Sequence, residues 1–91
     1  MMNLRINPLV IKDLKEIRYF IADNNLEKGA EMIEKIYSKF EDIQMFPGIG
    51  INLSKRVSIR ADYKYAVCND YVILYKVGKD YVEIYRIVNQ Y

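Results

Sequence analysis

Leu4 and Ile6 alternate with Asn3, Arg5 and Asn7, a period-two pattern that predicts a short N-terminal strand. Asn7 then precedes Pro8. An asparagine side chain can accept an orphan N–H at a helix start, and the fixed φ of proline suits a first helical turn, so a helix begins here. Val10, Leu14, Ile17 and Ile21 recur at helical spacing with Lys12, Asp13, Lys15 and Glu16 between them, which predicts an amphipathic helix ending near Asn24-Asn25. A second helix is expected from about Glu27 to Met45, marked by Ala30, Ile33, Ile36 or Tyr37, Phe40 and Ile43, and stopped by Phe46-Pro47-Gly48. So short a link makes the two helices an antiparallel hairpin.

Ile49 to Ser54 reads as loop, and from Arg56 the period changes to two. Strands are expected over Arg56–Arg60, Tyr63–Cys68, Tyr71–Val77 and Tyr81–Val88, with Asn69-Asp70 and Gly78-Lys79-Asp80 as turns. The predicted fold class is therefore α+β: a small antiparallel sheet packed against an N-terminal helical hairpin, in the order β-α-α-β-β-β. On a regular last strand Tyr81, Glu83, Tyr85 and Ile87 share one face. Val82, Ile84, Arg86 and Val88 share the other, which places Arg86 as a cation on the aliphatic side.

With 91 residues, 52% apolar and 29% charged, the chain suffices for one domain spanning 1–91 and one modest core. No apolar run approaches the roughly 20 residues of a membrane span, and the N-terminus lacks the apolar region of a signal peptide, so no membrane partner and a cytoplasmic location are expected. Cys68 is the single cysteine and falls in a strand pattern, where a small core residue is expected. The absence of histidine removes the commonest general base and, with one cysteine, any ordinary zinc site. No metal or cofactor is expected. Phosphate-binding glycine loops, nucleophile elbows, paired-cysteine motifs and calcium loops are also missing, which excludes those enzyme classes.

The net charge is only +2, but residues 1–46 hold seven basic and eight acidic side chains, whereas residues 47–91 hold seven basic and four acidic. Seven of the nine tyrosines lie in residues 63–91. Tyrosine favours strands in any case, and its ring can cover a sheet face, so these residues serve either packing or a contact platform. Lys55, Arg56, Arg60 and Lys64 form a cationic stretch opposed locally only by Asp62. Such a stretch suits phosphates or an acidic partner, and equally an edge strand protected from pairing.

Taken in order, Asn7-Pro8-Leu9, Asp13-Leu14, Ile17, Tyr19-Phe20-Ile21, Ala30, Ile33, Ile36, Phe46-Pro47-x-x-Gly50, Tyr71-Val72-Ile73-Leu74-Tyr75 and Val82-x-Ile84-x-Arg86-Ile87 resemble the RelE/ParE superfamily of type II toxins, over nearly the whole chain. The resemblance implies the same sheet-and-hairpin fold and a growth-inhibiting toxin neutralised by a cognate antitoxin protein, with operator DNA reached only through that antitoxin. Its target would be DNA gyrase in ParE-like members, or mRNA on the ribosome in RelE-like ones. The Phe-Pro-x-x-Gly stretch and the long hairpin look more like the ParE branch.

Under the RelE-like alternative the resemblance makes Arg60, Lys64, Arg86 and Tyr91 the catalytic candidates; Lys55, Arg56, Tyr85 and Asn89 are the candidates for antitoxin or target binding. Lys64 stands where an arginine is common, keeping charge but losing bidentate phosphate geometry. Asn89 stands where a histidine is common, and the usual Arg-rich ending is replaced by Arg86-Ile87-Val88-Asn89-Gln90-Tyr91. These departures speak against nuclease activity and strong toxicity, and they motivate a further alternative of an attenuated homologue acting mainly as an antitoxin-binding co-repressor.

Overall fold

The structure, a computed structural model, describes residues 1–53 and 63–90. Strand β1 (Asn3–Ile6) leads into helix α1 (Pro8–Ala22) and helix α2 (Leu26–Met45). A 3-10 turn (Pro47–Ile49) and short strand β2 (Ile51–Asn52) follow, then β3 (Tyr63–Cys68), β4 (Tyr71–Val77) and β5 (Tyr81–Asn89). The strand expected over Arg56–Arg60 lies outside the described residues.

Both helices start on an asparagine. Asn7 Oδ1 accepts the Leu9 N–H at 2.9 Å, and Asn25 Oδ1 accepts the Lys28 N–H at 3.2 Å, each satisfying a donor that the first turn leaves orphaned. Against the end of α1, α2 carries Gly29. A Cβ there would lie 3.2 Å from both the Ala22 Cβ and the Arg18 carbonyl, so a side chain would push the hairpin apart.

The expected α+β architecture is present, with one feature that side-chain alternation could not supply. The sheet is mixed, in the order β1-β5-β4-β3-β2, and β1 runs parallel to β5 with Leu4 opposite Val82 and Ile6 opposite Ile84. The other pairings are antiparallel. Part of the segment expected to be loop is ordered as the 3-10 turn and β2, and Ile51 pairs with Tyr65. The two-residue turn Asn69-Asp70 joins β3 to β4, with Asn69 taking the left-handed φ of 55° that asparagine tolerates better than most residues.

The core lies between the hairpin and one sheet face. Val10, Leu14 and Ile17 from α1 and Met32, Ile36, Phe40 and Ile43 from α2 meet Ala66, Cys68, Ile73, Tyr75, Val82, Ile84 and Ile87. Cys68 is buried here, as its strand position suggests. Ala30, taken as a marker of the α2 face, is instead exposed; Gly29 and Met32 occupy the buried positions. Among the described residues no helix is long and apolar enough to cross a membrane.

Candidate partner surface and the Arg86 site

The sheet face opposite the helices is built in rows by the strand register. One row crosses four strands as Tyr63, Lys76, Glu83 and Arg5. The next holds Tyr65, Leu74 and Arg86, and the third Val67, Val72 and Val88. The surface thus grades from aromatic and charged at one end to aliphatic at the other. The Arg5 guanidinium lies 3.9 Å from the Tyr81 ring centroid, and the Tyr63 and Tyr85 rings meet edge to face at 5.9 Å. These contacts fix the rings in place while leaving Tyr85 exposed.

The tyrosines do not share one face. Tyr71 and Tyr75 are buried toward the helices, whereas Tyr63 and Tyr65 belong to the opposite rows and the Tyr85 ring meets Tyr63 there. Tyr75 is a structural clamp: its hydroxyl donates to the Pro47 carbonyl at 2.7 Å and accepts the Gly50 N–H at 2.9 Å. Burial pushes its pKa up, only partly countered by the Gly50 hydrogen bond. Gly50 must be a glycine, since a Cβ would overlap the Tyr75 hydroxyl and lie 2.7 Å from the Tyr65 carbonyl.

Parity along β5 breaks in the middle. Leu74 pairs with Arg86 and Tyr75 with Ile84, leaving Tyr85 as the extra residue of a bulge. Beyond it Ile87 is buried and Val88 is exposed, the reverse of the regular alternation. Arg86 is therefore removed from the aliphatic row of Val82 and Ile84.

Its guanidinium turns to Asp13 of α1. Arg86 Nε donates to Asp13 Oδ2 at 2.9 Å and a terminal nitrogen donates to Oδ1 at 3.0 Å, a two-point fork, while the Ile87 N–H donates to Oδ2 at 3.0 Å. Strand β1 makes its last contact where the Asn7 N–H donates to the Ile84 carbonyl, so Asp13 takes over as acceptor along the stretch of β5 that follows. Burial works against the charged carboxylate, but the hydrogen bonds from Arg86 and Ile87, with the charges of Arg86 and Lys12, outweigh it and hold Asp13 below its usual value of 3.8.

Lys64 occupies the row of Tyr75 and Ile84, on the other side of β4 from Arg86, and its amine donates to Asn52 Oδ1 at 2.6 Å. With β4 between β3 and β5, Lys64 and Arg86 are held on opposite flanks of β4, each by its own partner. Asn89 ends β5 beside a cavity of 210 Å³ that Asp13, Glu16, Phe20 and Tyr71 also line. Lys55, Arg56, Arg60 and Tyr91 lie outside the described residues. In the sequence Asp13 stands among the polar positions of α1 and in the Asp13-Leu14 pair of the resemblance, with no site role; the signal for one is its place on the buried arc of α1, beside Leu14 and one turn from Val10 and Ile17.

Among the described residues no cluster of acidic residues or cysteine is suited to a metal ion. The model of the family described as ParE toxin of type II toxin-antitoxin system, parDE, matches residues 4–90. A chain of the chromosomal ParDE TA system from P. aeruginosa shares the fold with a TM-score of 0.78 at 17% sequence identity, over 98% of this chain and 96% of that one. No curated protein sequence matches the chain.

Proposed function

This chain belongs to the ParE toxin family of type II toxin–antitoxin systems, and from that premise we propose that it arrests bacterial growth by poisoning DNA gyrase and is neutralised by a cognate antitoxin. The observation that carries the choice of target is the engagement of Arg86 by Asp13. Cleaving RNA needs a base for the 2′-hydroxyl, cations around the phosphate and an acid for the leaving oxygen. The best-placed arginine has both of its fork positions filled by an internal carboxylate. The described lysine candidate is bonded to Asn52 on the far side of β4. This arrangement supports a toxin that acts through contact surfaces over one that cuts RNA with these groups.

The open sheet face, with Tyr85 at its centre, is the surface assigned to target contact in this reading. Growth and RNA readouts test it together. Induced expression should stop growth, co-expression of the antitoxin should restore it, and primer extension on cellular mRNA should show no cuts at ribosome-occupied codons. Growth arrest accompanied by such cuts would instead establish the RelE-like alternative.

A further inference from the structure

One face of α1 carries Asp13, Glu16, Ile17 and Phe20, at the i, i+3, i+4 and i+7 spacing that stacks side chains over two turns. These four residues form one wall of the 210 Å³ cavity, and Tyr71 of β4 with Ile87 and Asn89 of β5 forms the other. Strand β1 pairs with β5 only as far as Ile84, so the cavity lies along the stretch where β5 becomes the edge of the sheet. Ile17 and Ile87 are buried and supply an apolar floor. Phe20 stands at the rim, 72% exposed.

The two carboxylates of the lining are not equivalent. Asp13 is neutralised by the Arg86 fork and by the Ile87 N–H. Glu16 makes no hydrogen bond or ion pair among the described residues and adds only to the field felt by Arg86. Tyr71 is a second and independent feature. It is only 7% exposed, yet among the described residues its hydroxyl has no hydrogen-bond partner. A phenol buried this deeply carries a desolvation cost unless water or a ligand meets it. Burial, and then the charge of Asp70, push its pKa up, so the hydroxyl stays neutral and can accept a hydrogen bond from a cation.

We infer that this cavity is a binding site for an alkylguanidinium group, filled by one arginine side chain of the toxin's protein target; the choice of a protein source rests on the gyrase reading above. The volume admits a single long side chain and lies below the roughly 300–1,000 Å³ of sites for larger ligands. An anion would face two carboxylates with no cation in the described lining. A purely apolar group would leave Glu16 and the Tyr71 hydroxyl covered and unpaired. A guanidinium answers both. Its fork fits the free Glu16 carboxylate, a remaining donor serves the Tyr71 hydroxyl, its plane stacks on Phe20, and its methylene stem lies on Ile17 and Ile87. Lysine offers the charge and the stem without the fork or the stacking plane.

The test titrates the full chain with N-acetyl-arginine amide and follows backbone amide shifts. Those of Ile17, Phe20 and Ile87 should saturate, and N-acetyl-lysine amide should bind several-fold more weakly. Glu16→Gln should weaken the arginine probe about tenfold and Tyr71→Phe about threefold, as expected for losing one charged and one neutral hydrogen-bond partner. Glu34→Gln, which removes an exposed carboxylate of α2, should leave binding unchanged. Melts confirm that each variant is folded, and Glu16 is itself exposed, so its replacement leaves the core intact. In DNA cleavage by purified gyrase, Glu16→Gln should raise the toxin concentration for half-maximal breakage about tenfold. Shifts that never saturate, or that are the same in Glu16→Gln, would overturn the site. Unchanged cleavage by Glu16→Gln, or tighter binding of spermidine than of the arginine probe, would overturn the target as the source of the cation. Saturable arginine binding beside intact plasmid with wild-type toxin would uphold the site and overturn the gyrase reading.

Discussion

Asp13 is the one carboxylate buried among the described residues, and its three hydrogen bonds explain why that burial is tolerated. Replacing it with alanine removes the partner of Arg86 and leaves the Ile87 N–H without an acceptor. The expected loss is about 1–3 kcal/mol, read as a lower melting temperature by several degrees per kcal/mol in a domain of this size. The folded pKa of Asp13 lies below the unfolded value, so its contribution is complete above 3.8 and disappears as pH falls through the lower folded value. Arg86→Gln reverses this logic. The carboxylate stays buried without its countercharge, its folded pKa rises, and the deficit relative to wild type should be largest near neutral pH and shrink in acid. Melts between about pH 3 and pH 7 read this directly; a deficit that grows in acid would show that Asp13 is not the group stabilised by Arg86.

At the scale of elements, the turn after α2 depends on Tyr75 and Gly50 together. Tyr75→Phe keeps the ring and removes both hydroxyl bonds, which should cost about 1–2 kcal/mol. Gly50→Ala should be at least as damaging, because the methyl meets the same hydroxyl and the Tyr65 carbonyl, and the two substitutions combined should cost less than their sum. Thermal melts of the three variants check this. The helices were legible in the sequence because Asn7 and Pro8 mark the start of the first, Asn24-Asn25 its end, and the 3.6-residue period their buried arcs; that Asn25 also caps the second helix came from the fold. The pairing of β1 was not legible, since alternation fixes which face a residue takes and says nothing of which strand lies beside it. The bulge at Tyr85 carries no glycine or other signature, so the parity of β5 after that point, and with it the place of Arg86, could only come from the fold. In α2 the period left Ile36 and Tyr37 as alternatives, of which the core takes Ile36, and it marked Ala30, which is exposed beside the buried Gly29.

Across the whole molecule, the hairpin and one sheet face bury their apolar surface in a single core, and the graded sheet face remains outward. The fold does not assemble the described candidates for RNA chemistry, since Lys64 and Arg86 are held by Asn52 and Asp13 on opposite flanks of β4. On the proposed function, a toxin built this way acts by holding a protein target. Tyr85→Ala, which empties the centre of the sheet face without touching the core, should therefore relieve growth arrest while leaving the melting temperature within a few degrees of wild type. The most direct measurement of the central claim is a cleavage assay with purified gyrase, ATP and plasmid DNA. Adding this chain should trap broken DNA that appears as linear plasmid after denaturation, and adding antitoxin first should prevent it. Intact plasmid at every toxin concentration, from a preparation that still arrests growth, would contradict the account.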